Sequence, residues 1–380
     1  MPLNIRIRED QEAMHPSASA INVPRSDKQT DDSVLALVCE DIWKIYGNSA
    51  NEALRAIREQ ALTKQEVSDR YGCVVGVAGV SFAVSSSESF CIMGLSGGGK
   101  STLLRHINRL IEPTAGRIYI YGDDISEKSP KELRKTRAED IGMVFQDNAL
   151  FPHRTVLSNI GYGMEVRGVP RASRRLMAQQ ALELVQLHGW GNRYPHELSG
   201  GMQQRVGLAR AIAGKPRILL LDEPFGSLDP LIRRQLQTEF RDLLKSLAIS
   251  CVFITHDLDE AIALGDRIAI MKDGQFLQVG TPQEIILRPQ GAYIAEFVRG
   301  ISKLKLLNAG AIMEPIVEPG GNARRISEHC TSVSVDTNID TLIEIVLSSS
   351  EPVIVRTANG DAVGIVDCRA LLRGIKGAGH

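Results

Sequence analysis

No apolar run in this sequence approaches the ~18 residues needed to cross a bilayer; the stretch Ile218–Leu221 is far too short. The N-terminus carries Arg6, Arg8, Glu9 and Asp10 with no apolar core behind them, so no secretory leader is read there. Neither sign of charge dominates: 44 basic residues face 45 acidic ones, for a net charge of -1. That balance removes any global pull toward nucleic acid or an anionic membrane surface. The six cysteines, Cys39, Cys73, Cys91, Cys251, Cys330 and Cys368, lack the paired spacing of metal sites or small disulfide scaffolds. Reduced and mostly buried thiols are expected. Internal repeats and sustained heptads are also missing. The protein is expected to stay in the cytoplasm, and any membrane crossing must be supplied by other chains.

The chain does have enough material for two or three domains. It runs to 380 residues, 43% hydrophobic and 23% charged, as in ordinary globular proteins. Residues 1–33 are polar and irregular, and read as a disordered or loosely attached arm. Strand chemistry follows at Val34–Cys39, an amphipathic helix at Asn51–Arg70 and a strand at Val74–Val84. Phe90–Met93 is a short apolar run that meets a glycine loop and then a helix from Lys100, which is the opening of an α/β fold. A helix is predicted over Arg171–Leu187. Arg217–Leu221 and Ser250–Thr255 are continuous apolar runs, as buried parallel strands require. Asp266–Met271 and Gln275–Val279 read as a hairpin turning at Asp273-Gly274. Pro315, Pro319, Gly320 and Gly321 mark a boundary. Beyond Ser332 a small strand–helix–strand–turn–strand–helix unit is expected, with its turn at Asn359-Gly360.

Gly94-Leu95-Ser96-Gly97-Gly98-Gly99-Lys100-Ser101-Thr102 fits the phosphate-loop pattern G-x-x-x-x-G-K-[ST]. Glycines let the backbone wrap phosphate oxygens, and successive N–H groups at a helix start supply an anion site. Lys100 is placed to reach the β- and γ-phosphates of ATP, and the Ser101 hydroxyl to bind Mg²⁺. Such a loop needs a distant carboxylate for its metal. The apolar run Ile218–Leu221 ends in Asp222 and Glu223; Asp222 suits the Mg²⁺ shell and Glu223 the attacking water.

Between these elements lies Leu198-Ser199-Gly200-Gly201-Met202-Gln203-Gln204-Arg205, which resembles the signature sequence of ABC ATPases. Its companions stand in the family order. Gln146 resembles the Q-loop glutamine, Ser227-Leu228-Asp229 the D-loop and His256 the switch histidine. Tyr46 resembles the aromatic that stacks on adenine, with Tyr71 a local rival. The resemblance covers about residues 34–300 and implies a P-loop ATPase domain with a helical subdomain over about 150–215. It further implies that Ser199, Gly200, Gly201 and Gln203 complete the ATP site of a second copy, so that two ATP molecules join a homodimer. Gln146 would touch the Mg²⁺ or water and report to the region Leu150–Gly168, which in this family grips integral-membrane permease subunits. A periplasmic or lipid-anchored substrate-binding protein would complete the system at the cytoplasmic face of the inner membrane; nucleic acid is not an expected partner.

The stretch at about 48–72 and the Ser101–Leu110 helix resemble the glycine betaine and proline betaine importers. Met313-Glu314-Pro315, Val333–Thr337 and Gly364–Asp367 resemble one unit of a cystathionine β-synthase-type (CBS) domain, so residues 301–380 are expected to form a single small α+β domain. Three departures stand out. Gly98 replaces a common serine, Gly226-Ser227 replaces the usual small pair, and Asp367 replaces a hydroxyl residue, which weakens adenosine-ligand binding by the tail. A structural or dimerising tail is as compatible with the sequence as a sensor. The function implied is ATP-driven import of a quaternary amine, serving osmoprotection. The alternatives are an importer ATPase for another small solute such as an amino acid, or a soluble ABC ATPase outside transport. The single P-loop and the absence of a coiled coil argue against the last.

Overall fold

The computed structural model describes residues 34–147, 149–226, 228–299, 308–315, 331–349, 351–357 and 360–377. The expected N-terminal arm, Ser227, Cys330, Asn359 and the boundary residues Pro319–Gly321 lie outside them. The chain divides into two compact units between Thr281 and Pro282. That division falls ahead of the change in character expected near residue 300.

The first unit opens with β1 (Leu35–Tyr46), α1 (Ala50–Gln60), α2 (Lys64–Tyr71) and β2 (Val74–Ser85). β1 runs past the expected Cys39 because a register shift around Asp41, in the left-handed region at φ 48°, lets the strand bend and continue. The single helix expected over 51–70 is two helices. Ala61 ends α1 at φ 51°, and Thr63 restarts the chain with a capping box: Glu66 N–H donates to the Thr63 hydroxyl, and Thr63 N–H to the Glu66 carboxylate at 2.8 Å. The apolar periodicity carries across this break, which is why the pattern alone reads as one helix. Both helices pack on Trp43, Ile45 and Val75 through Ala53, Leu54, Ile57 and Val67, joined by Leu62 of the connection between them.

Next come β3 (Ser89–Met93), α3 (Lys100–Ile107), β4 (Ala115–Ile120), β5 (Asp123–Asp124), α4 (Pro130–Glu139) and β6 (Ile141–Val144). The helices α5 (Val156–Ile160), α6 (Tyr162–Val166), α7 (Arg171–Leu184) and α8 (Gly200–Ile212) pack on one another. The unit closes with β7 (Ile218–Asp222), α9 (Pro230–Leu247), β8 (Ser250–Thr255), α10 (Leu258–Leu264), β9 (Arg267–Lys272) and β10 (Gln275–Gly280). An antiparallel sheet has the order β2-β1-β4-β5, and the main sheet the order β10-β9-β3-β8-β7-β6. In the main sheet only β10 is antiparallel, joined to β9 by the expected hairpin. Every residue of β3, β7 and β8 is buried, as their unbroken apolar sequences require. Of the described cysteines, Cys39, Cys73, Cys91 and Cys251 are buried and Cys368 exposed. Burial pushes the thiols of Cys39, Cys91 and Cys251 far up.

The second unit contains α11 (Pro282–Leu287), α12 (Ala292–Val298), α13 (Ala309–Ile312), β11 (Glu314–Pro315), β12 (Ser332–Ser334), α14 (Ile339–Ser348), β13 (Val353–Arg356), β14 (Ala362–Val366) and α15 (Cys368–Gly377). Its sheet order is β11-β14-β13-β12, with Val333, Leu342, Val346, Val353, Val355 and Val366 in the core. The Asp367 carboxylate accepts from Arg369 N–H at 2.9 Å and Ala370 N–H at 2.7 Å, so it caps α15.

The two sheets of the first unit share one core, bridged by Phe82 of β2. Its ring stacks on Phe90 of β3 at 5.1 Å and meets Phe276 of β10 edge-on at 5.5 Å. Phe82 is fully buried. Phe82→Ala is therefore expected to destabilise the unit by about 3–5 kcal/mol, measured as a shift in the urea unfolding midpoint.

Candidate functional site

The site lies where β3, β7 and β8 end. Leaving β3, the chain turns at Gly94 with φ 150°, where a Cβ would stand 2.0 Å from the Met271 carbonyl. The loop ends at Gly99, φ 98°, where a Cβ would stand 2.4 Å from the Gly76 carbonyl. Neither position admits a side chain, so these two glycines set the loop's path. Gly98 is different. Its backbone suits any residue, and a Cβ there would meet Leu95 O at 3.2 Å, a contact that a small shift relieves. The hairpin turn straps the loop down: Gly274 N–H donates to Gly98 O at 3.0 Å, and Ala78 N–H to Gly274 O at 2.9 Å. Ser96 and Gly97 stand exposed at the loop's tip.

Lys100 begins α3 and turns its buried ammonium back into the loop, donating to Gly94 O at 2.8 Å and Leu95 O at 3.0 Å. Desolvation lowers its pKa, while Glu223 and Asp222 pull it back up. The next residue, Ser101, donates to Asp222 Oδ1 at 3.1 Å, and Arg105, one turn further along α3, donates to Oδ2 at 3.3 Å. Asp222 is only 2% exposed, and these two donors offset the cost of burying its charge. Arg105 was not singled out from the sequence, although its i+4 spacing from Ser101 places both on one helix face.

Glu223 follows in the left-handed region at φ 48°, its N–H held by Ile254 O of β8. That turn aims its carboxylate away from Asp222's partners. One oxygen accepts from Gln146 Nε2 at 3.2 Å, and the other lies 3.4 Å from His256 Nδ1. Tyr46, at the end of β1, sets its hydroxyl 3.4 Å from Thr102 Oγ1, and Lys44 lies 5.1 Å from its ring centre. Its rival Tyr71 is packed against the small core around α1 and α2. The structure thus brings Tyr46, the loop, Lys100, Ser101, Thr102, Gln146, Asp222, Glu223 and His256 to one place. The Ser101 hydroxyl and the Asp222 carboxylate face one another as oxygen donors, which fits a hard divalent cation such as Mg²⁺.

Among the described residues, no hydrogen bond or ion pair joins the other predicted residues to this cluster. Ser199 caps α8, accepting from Met202 N–H at 3.4 Å. Gln203 donates to Pro195 O at 3.0 Å and Leu198 O at 3.3 Å, fixing the turn before the helix. Gly200 has open space beside its Cα, while Gly201 backs onto Ile232 of α9. Asp229 caps α9 through Leu231 N–H at 3.0 Å.

Glu260 sits behind His256, buried on α10, with one oxygen accepting from the Thr255 hydroxyl at 3.2 Å and the other without a partner. Desolvation raises its pKa from the ordinary 4.5 to about 8, the Thr255 hydrogen bond opposing and Asp257 adding to the shift. Below the unfolded value both states hold the proton. As pH rises toward the folded value the unfolded chain ionises and the folded carboxyl does not, so stability falls across that window. Glu260→Gln is expected to flatten the fall, measured as the change in urea midpoint between about pH 5 and about pH 8.

A family model described as ABC transporter matches residues 77–226. The chain is 49% identical over 284 residues to the glycine betaine transport ATP-binding protein OpuAA of Bacillus subtilis, covering 75% of this chain and 68% of that one. It is 42% identical over 330 residues to the trimethylamine N-oxide transport system ATP-binding protein TmoW of Pelagibacter ubique, covering 86% and 94%. Among solved structures, a dimeric post-hydrolysis state of the ATP-binding cassette MJ0796 bound to ADP and Pi is 30% identical with a TM-score of 0.54, covering 65% of this chain and 98% of that one. With the phosphate loop, the buried acid pair and the histidine assembled on a parallel sheet, the chain belongs to the ABC transporter ATP-binding proteins and is an ATPase of that family.

Proposed function

We propose that this ATPase energises import of a quaternary amine, with glycine betaine, choline or proline betaine as cargo. The observation that supports the cargo class is the 49% identity to a glycine betaine transport protein. A second reading, trimethylamine N-oxide, is favoured by the match to 94% of the length of TmoW. Both cargoes carry a fully substituted, methylated nitrogen. Amino acids fit this pattern less well.

ATP binds with its phosphates on the loop Gly94–Thr102, and Tyr46, 40% exposed, stacks on the adenine. Lys100 exchanges its two carbonyl contacts for the β- and γ-phosphates. Ser101, Gln146 and Asp222 would hold Mg²⁺, which would supply positive charge against the phosphates. Glu223 and His256 orient the water whose oxygen attacks the γ-phosphorus as the bond to the leaving oxygen of ADP breaks. Ser199, Gly200, Gly201 and Gln203 complete the site of a second copy, and Asp229 lies at that dimer interface. This accounts for an exposed helix start with open space at Gly200 on a cluster that does not touch the chain's own loop. Hydrolysis removes the bridging γ-phosphate and lets the homodimer open.

Permease subunits dock on the helical subdomain, about residues 150–215, and an external substrate-binding protein delivers cargo. No helix among the described residues is long and apolar enough to cross a membrane. The subunit works peripherally at the cytoplasmic face, a reading supported by its likeness to transport-system ATP-binding proteins. The CBS-like tail contributes one structural or dimerising unit, since Asp367 is committed to capping α15.

Glu223→Gln is expected to slow hydrolysis at least about a hundredfold while preserving ATP binding, so that the variant elutes as a dimer with ATP and Mg²⁺. A persistent monomer would count against the assignment of Glu223 and the signature residues. In cells, Lys100→Ala is expected to abolish uptake of labelled glycine betaine, choline or trimethylamine N-oxide. Loss for one solute identifies the cargo; unchanged uptake of all of them rejects the class.

A further inference from the structure

Arg233 belongs to none of the motifs, yet it joins two of them. It stands in the first turn of α9, one turn beyond Asp229, with its side chain folded back over the loop between β7 and α9. Its Nη2 donates to Leu228 O at 3.0 Å and Gly226 O at 3.4 Å, the backbone of the D-loop. Its Nη1 donates to Asp257 Oδ2 at 3.0 Å, the residue directly after His256. Asp257 is fixed on every side. Its other oxygen caps α10, accepting from Asp259 N–H at 2.9 Å and Glu260 N–H at 3.3 Å, and its own N–H donates to Thr255 Oγ1 at 3.0 Å. Thr255 in turn donates to buried Glu260. His256, its side chain 61% exposed, therefore stands between two neighbours that are tied down.

We propose that Arg233 is a positioning residue that makes the D-loop and the switch-histidine turn one mechanical unit. It sets where His256 meets Glu223 according to where the D-loop stands. This rests on the roles proposed for His256 and Glu223. The physical case is the fork of the guanidinium, which spans two carbonyls and a carboxylate at once. Both ionic partners are mostly buried, with 25% and 30% of their side chains exposed, so the bridge is less screened than a surface pair. A displacement of Gly226 and Leu228, as a second copy docks against Asp229, is passed through Arg233 to Asp257 and so to His256. Nothing in the chain's own ATP-binding loop is touched by this bridge.

The test compares Arg233→Ala, Arg233→Lys, Asp257→Ala and the double alanine variant in the full-length chain, with two readouts. Hydrogen exchange reports the turn without any turnover, and steady-state ATPase assays report kcat and KM separately. Arg233→Ala is expected to raise exchange in both the D-loop and the 255–260 turn. It should lower kcat at least about tenfold with KM for ATP changed less than about twofold. Arg233→Lys keeps the charge but cannot span three acceptors, and should recover part of kcat. The double variant should be no slower than the slower single one, because both remove the same bridge. Unchanged exchange, or effects on kcat that multiply, overturns the proposal. If Arg233→Ala fails to fold, Arg233→Lys decides: wild-type exchange and wild-type kcat overturn it. A wild-type chain that does not hydrolyse ATP would instead reject the site assignment, and the exchange result would still judge the bridge.

Discussion

A carboxylate buried at the tip of an apolar strand is the constraint around which this molecule is arranged. Asp222 ends β7 after four buried aliphatic residues and is itself only 2% exposed. A buried charge is tolerable only with hydrogen-bonding or cationic partners. Here they come from α3, through Ser101 and Arg105 on one face of that helix. The helix must then lie across the ends of β3 and β7, and the loop feeding it must turn sharply out of β3. That turn is possible only because Gly94 and Gly99 carry no side chain against Met271 and Gly76. One electrostatic demand thus fixes a helix, and the helix fixes the shape of the phosphate cradle.

The same economy governs the charges around it. Lys100 is kept from open solvent and held by two loop carbonyls, neutral acceptors that a phosphate outcompetes by charge. Glu223 follows Asp222 directly but points elsewhere because its backbone is left-handed. Two adjacent acids therefore face different partners, one the helix and the other Gln146 and His256. The strain of a non-glycine residue in this conformation is met at the site itself, where the Ile254 carbonyl holds its N–H.

Much of this is legible in the residues. Strands such as Ser250–Thr255 match their apolar runs because a fully buried segment has little freedom about where it ends. The motif residues are legible because their chemistry forces residue type as well as order. What escapes is set by backbone geometry. The break at Ala61 leaves the apolar period intact, and only the Thr63–Glu66 capping box marks it. The extension of β1 depends on a bulge at Asp41 that no side-chain pattern announces. Arg105 and Arg233 escape because their partners are far along the chain or are backbone carbonyls, which every residue possesses, and Glu260 escapes because its burial is set by tertiary packing.

The partition of the motif residues into two groups carries the last step. Lys100, Ser101, Asp222, Glu223, Gln146 and His256 share contacts, while Ser199, Gly200, Gly201 and Gln203 belong to the helical segment and Asp229 to the start of α9. A helix start capped by Ser199, with Gly200 bare, leaves first-turn N–H groups of the kind an anion can take up. On the proposed function, a site divided between two surfaces is completed only by bringing two copies together, so nucleotide occupancy and association would become the same event. Within one copy, the groups meant for a partner must then be tied to the groups that do the chemistry, or association would not be felt at the γ-phosphate. The bridge from the D-loop backbone through Arg233 to the residue beside His256 supplies such a tie, with both ends held by hydrogen bonds.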